Sequence, residues 1–149
     1  CIKEEYYVQY ADKSSEFHKA VEILLKGPEN DLPQGVSFKT ADGITRTRTR
    51  VKWWEGDNCT TSEKLMIEFD MTEDEERRIN ASSLSYQFNR SADDKPVFFG
   101  HYWFKGVPSL LPNNVACLDY SAVFSGQQVA YQFKGEKKLK NENFVSVTL

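Results

Sequence analysis

The chain has 149 residues, of which 40% are hydrophobic and 13% aromatic, and its formal net charge is −3. This composition favours a folded chain with a core over a disordered one, and the slightly negative charge gives no basic surface for nucleic acid. No apolar run approaches the roughly 20 residues that a membrane-spanning helix needs. We therefore expect neither a nucleic-acid partner nor a membrane partner.

The first residues and the cysteines bear on the cellular compartment. Residues 1–5 contain neither the basic nor the apolar segment of a secretory signal peptide, and the missing start Met indicates that residue 1 is not the native beginning. Cys1, Cys59 and Cys117 are odd in number and far apart, which matches neither a disulfide framework nor a zinc-binding motif. We expect a cytoplasmic protein in which Cys117 is a small buried side chain in an apolar strand.

Two helices are predicted from their end signals. Ser14 or Ser15 is a plausible N-cap for a helix that ends near residue 25, because Gly27 and Pro28 follow as a C-cap and a breaker. His18 is then expected to face solvent on this helix. Residues 70–78 begin with acids and end with arginines, which complements the helix dipole and predicts a short exposed helix. Residues 2–10 are compatible with a strand or with a helix start.

A β-hairpin is predicted on either side of an Asp-Gly turn at 42–43, with arms at 36–39 and 44–51. The second arm alternates with period two, so Arg46, Arg48 and Arg50 are expected to share one face. That face is either an anion-binding strip for a phosphoester or acidic partner, or a solvated strand surface, and we favour the solvated surface.

Five further segments have the short apolar or alternating pattern of β-strands. They are residues 64–69 (with Leu65, Ile67 and Phe69 on one face), 97–99, 115–120, 129–133 and 144–148. A turn over residues 125–128 (Ser-Gly-Gln-Gln) predicts that the third and fourth of these pair as an antiparallel hairpin. Trp53 and Trp54 are interpreted as packing anchors.

His101 is the strongest candidate for a functional side chain. It follows the apolar strand at 97–99 and Gly100, which allows the backbone to turn tightly. Sites in layered α/β folds are often built at strand ends, so an imidazole there is a candidate metal ligand or general acid. A packed or surface histidine is the alternative that the residues alone leave open. A Ser121, His101 and Asp119 triad lacks the sequence context of a nucleophile elbow.

Three segments resemble the C-terminal portion of calcineurin-like metallophosphoesterases: Gly-His-Tyr-Trp at 100–103, Asn-Val-Ala-Cys-Leu-Asp-Tyr-Ser at 114–121, and Val-Ala-Tyr-Gln-Phe at 129–133. The resemblance is closest to the bacterial branch grouped with serine/threonine phosphatases and diadenosine-tetraphosphate hydrolases. Residues 24–29, 32–33 and 50–54 also resemble that branch. The resemblance implies part of the layered α/β sandwich of the family.

The resemblance also implies roles for two residues. His101 corresponds to a late metal ligand of the family, and Asp119 to a residue that helps to position the ligand loop. The Asp-x-His, Gly-Asp-x-x-Asp and Gly-Asn-His-Asp/Glu motifs of the family's front half do not occur, and Trp103 stands where many members have a second His. We therefore expect the C-terminal half of a metallophosphoesterase, folded as a single domain over residues 1–149.

These inferences predict a β-rich α+β chain, mainly of antiparallel hairpins with two short helices. The parent enzyme would use a divalent metal (Mn, Fe, Zn or Mg) to hydrolyse phosphomonoesters or nucleotide phosphoanhydrides, with a phosphorylated small molecule or phosphoprotein as substrate. We assign no catalytic residue, and expect the isolated chain to bind the metal unstably and to be inactive or nearly so.

A non-enzymatic interaction module is the alternative, using the arginine-lined hairpin and exposed aromatic side chains to bind a partner. Under the fragment interpretation, an unpaired half of a sheet would expose its edges, so self-association is a further expectation. Sedimentation as a clean monomer would contradict it.

Overall fold

The computed structural model describes residues 3–40, 43–56, 58–67, 69–86 and 89–148, and it shows a mixed α+β chain. The α-helices in this part of the chain are α1 (Glu4–Ala11), α2 (Glu16–Lys26) and α3 (Glu73–Asn80). The strands are β1 (Glu29–Asp31), β2 (Phe38–Lys39), β3 (Thr45–Arg46), β4 (Arg48–Arg50), β5 (Val97–Phe99), β6 (Val115–Cys117), β7 (Asp119–Tyr120), β8 (Gln127–Tyr131) and β9 (Phe144–Thr148). The α+β class is confirmed, but this part of the chain has three α-helices where the sequence predicts two, because residues 4–11 also form a helix.

The chain forms two compact units. The N-terminal unit is built from described residues up to 53 together with 60–86, and the C-terminal unit from 54–59 together with residues from 89 onward. The prediction of a single domain stays a prediction, because one domain can contain two such units. Among the described residues, no helix is long and apolar enough to cross a membrane.

Both predicted helices form, and their caps explain where they begin. The Ser15 hydroxyl accepts a hydrogen bond from the His18 backbone N–H at the start of α2. Gly27 ends that helix in a positive-φ conformation (φ 83°). At α3, Thr72 and Glu75 form a reciprocal capping box, in which each side chain accepts from the backbone N–H of the other residue.

The ambiguous segment at the N-terminus is a helix, α1, and it changes the setting of His18. The His18 ring stacks on the Tyr10 ring with centroids 4.8 Å apart, and its Nδ1 lies 2.7 Å from the Tyr10 carbonyl oxygen. The Tyr10 hydroxyl donates to Glu22 at 2.6 Å. His18 is therefore half-buried between helices, and the prediction that it faces solvent is wrong because α1 covers it.

The core of the N-terminal unit is a cluster of buried apolar side chains: Leu32, Val36, Val51, Leu65 and Ile79. Ile67 and Phe69 pack against it, as the alternating pattern predicts, but the segment forms only an isolated bridge between Leu65 and Val51. The Ile67 N–H donates to the Leu65 carbonyl oxygen, which bends the chain away from a ladder. The regular strand predicted over 64–69 is wrong for its described residues, and Glu68 lies outside them.

The predicted hairpin forms, but its second arm divides. β2 and β3 pair antiparallel, and in the predicted turn Gly43 has φ 80° while Asp42 lies outside the described residues. Beyond β3, the Leu32 N–H donates to the Thr47 carbonyl oxygen, and β4 pairs with β1 instead of continuing along β2. The arm over 44–51 is therefore two short strands in two different ladders.

The C-terminal unit contains a parallel pair and a small antiparallel sheet. β5 pairs parallel with β6, whose three residues are fully buried, whereas those of β5 are half-buried. β7, β8 and β9 form an antiparallel sheet in that order. The predicted hairpin is confirmed for Asp119 and Tyr120, but β8 begins at Gln127, inside the predicted turn, and Val115–Cys117 pair with β5 instead. The predicted strand over 115–120 is interrupted at Leu118, whose N–H donates to the Phe99 carbonyl oxygen.

An aromatic cluster around Trp54 fills this unit. Trp54 is 2% exposed, which confirms it as a packing anchor. Its ring stacks on Phe99 at 4.8 Å and meets the rings of Tyr102 and Phe104 edge-on at 5.0 and 5.7 Å between centroids. Such contacts add to the free energy of burying the rings, so this cluster anchors β5 and the loop that follows it.

The buried thiol of Cys117 generates the first testable prediction. Burial raises the pKa of the Cys117 thiol to about 11, whereas Cys59 is only half-buried. Because the thiolate is the reactive form, iodoacetamide at pH 8 should label Cys59 on the order of 100-fold faster than Cys117 in the folded chain. Peptide mass spectrometry after timed labelling measures both rates. If the two thiols are labelled at equal rates in the folded chain, as they would be in denaturant, burial of Cys117 is contradicted.

Candidate functional site

His101 lies where the sequence predicts it, just beyond the carboxyl end of a strand. β5 ends at Phe99, and its partner β6 runs in the same direction and ends at Cys117. The carboxyl ends of two parallel strands therefore meet at one edge, which is the usual position of sites in α/β sheets. His101 itself is half-buried there.

The backbone around this edge adopts conformations that ordinary residues rarely take. His101 has φ 70° and Trp103 has φ 49°, and on the facing segment Ser121 and Ser125 both have φ 59°. Each non-glycine residue in such a conformation costs on the order of 1–3 kcal/mol, and such residues cluster at functional sites. Their persistence requires surrounding contacts that fix the loop.

Asp119 supplies those contacts. Its Oδ2 accepts a hydrogen bond from the His101 backbone N–H at 2.9 Å, and its Oδ1 accepts from the Ser121 N–H at 3.1 Å. Its own carbonyl oxygen accepts from the Phe104 N–H at 2.9 Å. One residue therefore ties down the loop over 100–104 and the start of the facing turn. This geometry is consistent with the role predicted for Asp119.

Gly126 closes the facing turn, a feature that the sequence indicates only as a generic Ser-Gly turn. Its N–H donates to the Ser121 carbonyl oxygen at 3.0 Å. A Cβ at this position would lie 2.1 Å from the Tyr120 carbonyl oxygen, a separation that no side chain tolerates. Between these residues the chain forms a 3-10 turn, Ala122–Phe124, which holds Phe124 out from the surface.

Two exposed aromatic side chains lie beside His101. Trp103 is 54% exposed and Phe124 is 68% exposed, and their ring centroids are 5.4 Å apart. The rings of His101 and Trp103 are 6.4 Å apart and nearly perpendicular. From the sequence, Trp103 stands where many metallophosphoesterases have a second His, and with Tyr102 it is a candidate to line a pocket or simply to pack, whereas no motif singles out Phe124. No local sequence pattern predicts that Phe124 contacts Trp103.

The described residues do not by themselves form a metal centre. No group of three or more His, Cys, Asp or Glu side chains in the described part of the chain could hold a metal ion. Near His101, both carboxylate oxygens of Asp119 accept hydrogen bonds from backbone N–H groups. A phosphoesterase metal pair needs several converging ligands, and a single imidazole does not fit that requirement alone.

The three candidate anion-binding arginines lie in the N-terminal unit. Arg48 Nε lies 2.8 Å from Asp31 Oδ1, and its guanidinium lies 3.8 Å from Glu29 across the β1–β4 ladder. Arg46 is exposed on β3, and Arg50 is half-buried on β4. The charge of Arg48 is thus balanced by two carboxylates, which favours the solvated-surface interpretation for that residue. Anion binding by these arginines stays a prediction.

Comparison with known proteins gives no family assignment. No protein-family model, curated protein or solved structure matches this chain. The likeness to metallophosphoesterases therefore depends on the quoted motifs, and function has to be argued from the residues of the site.

Removal of the Asp119 carboxylate tests its role in holding the loop. Asp119→Ala should lower the free energy of unfolding by about 2 kcal/mol, because it removes the acceptor of hydrogen bonds from the half-buried His101 and the buried Ser121. Urea unfolding measures the loss, and amide exchange at His101 should speed up with it. Asp93→Ala is the control, since its ion pair with Lys138 is exposed and should contribute under about 1 kcal/mol. Equal losses would contradict the role.

The close approach at Gly126 can be tested in the same way. Gly126→Ala should destabilise the chain by at least about 2 kcal/mol, because the added methyl group overlaps backbone atoms that cannot move independently. Gly56→Ala is the matched control, with nothing within 4 Å of its added Cβ. Thermal unfolding compares the two, and an unchanged midpoint for Gly126→Ala would show that the turn is built differently.

Proposed function

We propose that this chain forms the C-terminal part of a metal-dependent phosphoesterase, in which His101 contributes one metal ligand and Asp119 positions the loop that carries it. The fold would then be part of the layered α/β sandwich of that family. One observation carries the proposal: the Asp119 carboxylate holds the backbone of His101, 18 residues away, at the carboxyl edge of a parallel strand pair.

This contact supports the proposal by fixing the backbone from which the His101 side chain projects. Asp119 bonds to the backbone N–H of His101, so it sets the direction of the residue without depending on the protonation of the imidazole. A ligand loop needs this kind of support, because metal-binding residues are oriented by the groups around them. The cost of a positive φ at His101 is also easier to understand at a functional position than at an ordinary surface residue.

The metal would be Mn, Fe, Zn or Mg, and its chemistry when bound would be to polarise the phosphoryl group and lower the pKa of a bound water. The described residues offer one imidazole toward it, so the remaining ligands would come from the family's Asp-x-His, Gly-Asp-x-x-Asp and Gly-Asn-His motifs outside this sequence. The substrates would be phosphomonoesters or nucleotide phosphoanhydrides, on a small molecule or a protein. The isolated chain is accordingly proposed to be inactive or nearly so.

The alternative, a protein-interaction module, relies on the arginine-lined hairpin and the exposed aromatic side chains. The pairing of Arg48 with Glu29 and Asp31 reduces the net positive charge on that hairpin. The coding sequence separates the two functions. Asp-x-His and Gly-Asn-His motifs upstream of residue 1 would favour the enzyme, and a native start near Cys1 would favour the module.

The two histidines of the chain allow an internally controlled metal titration. We expect Zn²⁺ to perturb the ring NMR signals of His101 at lower concentration than those of His18, because His101 is the proposed ligand and no family motif surrounds His18. His101→Ala should abolish the more sensitive response, and His18→Ala should leave it in place.

Phosphatase activity on an aryl phosphate is followed in the same samples. The expected result is weak binding at His101 without turnover. Turnover that disappears in His101→Ala would mean that the chain holds a complete site and is not a partial one. Equal sensitivity of both histidines to Zn²⁺ would contradict a ligand role for His101.

A further inference from the structure

We infer that Trp103 and Phe124 form an aromatic platform beside His101 that binds a planar ring carried by the phosphate compound, such as a nucleobase. This inference rests on the proposed function, because the phosphate end of the ligand would lie at His101. It adds a residue pair that selects among phosphate compounds, by preferring those with a ring over aliphatic ones.

The exposure of the two rings is the first argument. Trp103 and Phe124 come from segments 21 residues apart and contact each other, yet 54% and 68% of their surfaces face solvent. The other aromatic side chains of this loop, Tyr102 and Phe104, pack against Trp54 in the core. The loop thus packs Tyr102 and Phe104 inward and exposes Trp103, whose ring contacts the exposed ring of Phe124.

The backbone provides an independent argument. Trp103 is held at φ 49°, and Phe124 is followed by Ser125 at φ 59°. Neither Trp103 nor Ser125 is a glycine, so the positive φ of each residue costs free energy. Asp119 and Gly126 hold the two segments in these conformations, as described above. The platform is therefore a fixed surface, and its rings need little reorganisation to receive a ligand.

The position of the platform indicates the class of ligand. The rings of His101 and Trp103 are 6.4 Å apart, a span that a single ribose or a short linker bridges between a phosphate group and a planar ring. Stacking on aromatic side chains tolerates any base because every base has a π-face, so the platform would recognise a ring without reading its identity.

The inference is tested on the metal-free chain with three probes of matched charge: adenosine monophosphate, phenyl phosphate and ribose 5-phosphate. The first two should shift the Trp103 indole signal in NMR spectra, assigned through Trp103→Phe, and ribose 5-phosphate should not. A response to adenosine monophosphate alone would identify a nucleobase as the ring, and a response to both would identify any planar ring. No shift with either ring probe, or an equal shift with ribose 5-phosphate, would overturn the inference.

Variants test whether the two rings act together. Trp103→Ala and Phe124→Ala should each weaken binding of adenosine monophosphate, followed on the ligand's own ring protons, with about a tenfold effect for Trp103. Both side chains are exposed, so the variants should fold. Phe133→Ala is the control, an aromatic residue 52% exposed that packs on Phe98, and it should leave binding unchanged. Equal affinity in all variants would overturn the inference.

The test of the aromatic platform can fail or succeed independently of the test of the proposed phosphoesterase function. Ring-dependent binding without any response of His101 to Zn²⁺ would retain the platform and remove the phosphoesterase proposal. A Zn²⁺ response at His101 with no preference for a ring would do the reverse. If both hold, Zn²⁺ should raise the affinity for adenosine monophosphate but not for adenosine.

Discussion

The carboxylate of Asp119 is the contact on which the geometry of the candidate site depends. It accepts from His101 on one side and from Ser121 on the other, while the carbonyl oxygen of the same residue accepts from Phe104. These bonds join the loop after β5 to the beginning of β7. Hydrogen bonds to an ionised carboxylate are stronger than those between neutral groups, which suits a loop with positive-φ residues.

The aromatic core explains why the loop presents alternate residues to solvent. Tyr102 is 4% exposed and packs edge-on against both Trp54 and Phe99. Its neighbours on either side, His101 and Trp103, are the two residues of the loop with positive φ. Burial of the central ring, together with the Asp119 hydrogen bonds, turns both neighbours toward the surface. The hydrophobic effect thus acts on Tyr102, and its burial places His101 and Trp103 at the surface, where their proposed functions require them.

Elements with local signals were predictable from the sequence, and those that depend on distant partners were not. α2 and α3 carry their own caps in Ser15 and in the Thr72–Glu75 box, so their bounds follow from a few adjacent residues. The parallel pairing of β5 with β6 joins strands separated by a long irregular segment, and no local pattern encodes it. His18 was misplaced for a related reason, since its environment depends on whether α1 forms.

The candidate site shows the same division. His101 is identified by a strand, a glycine and a motif that lie together in the sequence, and Asp119 enters through the likeness of its segment to a known family. The hydrogen bond between these residues, and the contact of Phe124 with Trp103, appear only when the chain folds. For the arginines of the hairpin, a local pattern predicts too much regularity. The alternation over 44–51 places Arg46, Arg48 and Arg50 on one face of one strand, but it does not reveal that the chain changes ladders at Thr47.

The most direct test of the central claim is a crystal of the protein translated from the longest coding sequence that contains these 149 residues, soaked in Zn²⁺ and measured at the zinc absorption edge. We expect an anomalous peak about 2.1 Å from an imidazole nitrogen of His101, as in other zinc–histidine bonds, with the Asp119 carboxylate on the backbone N–H of the same residue. A metal bound elsewhere, with no peak at His101, would contradict it.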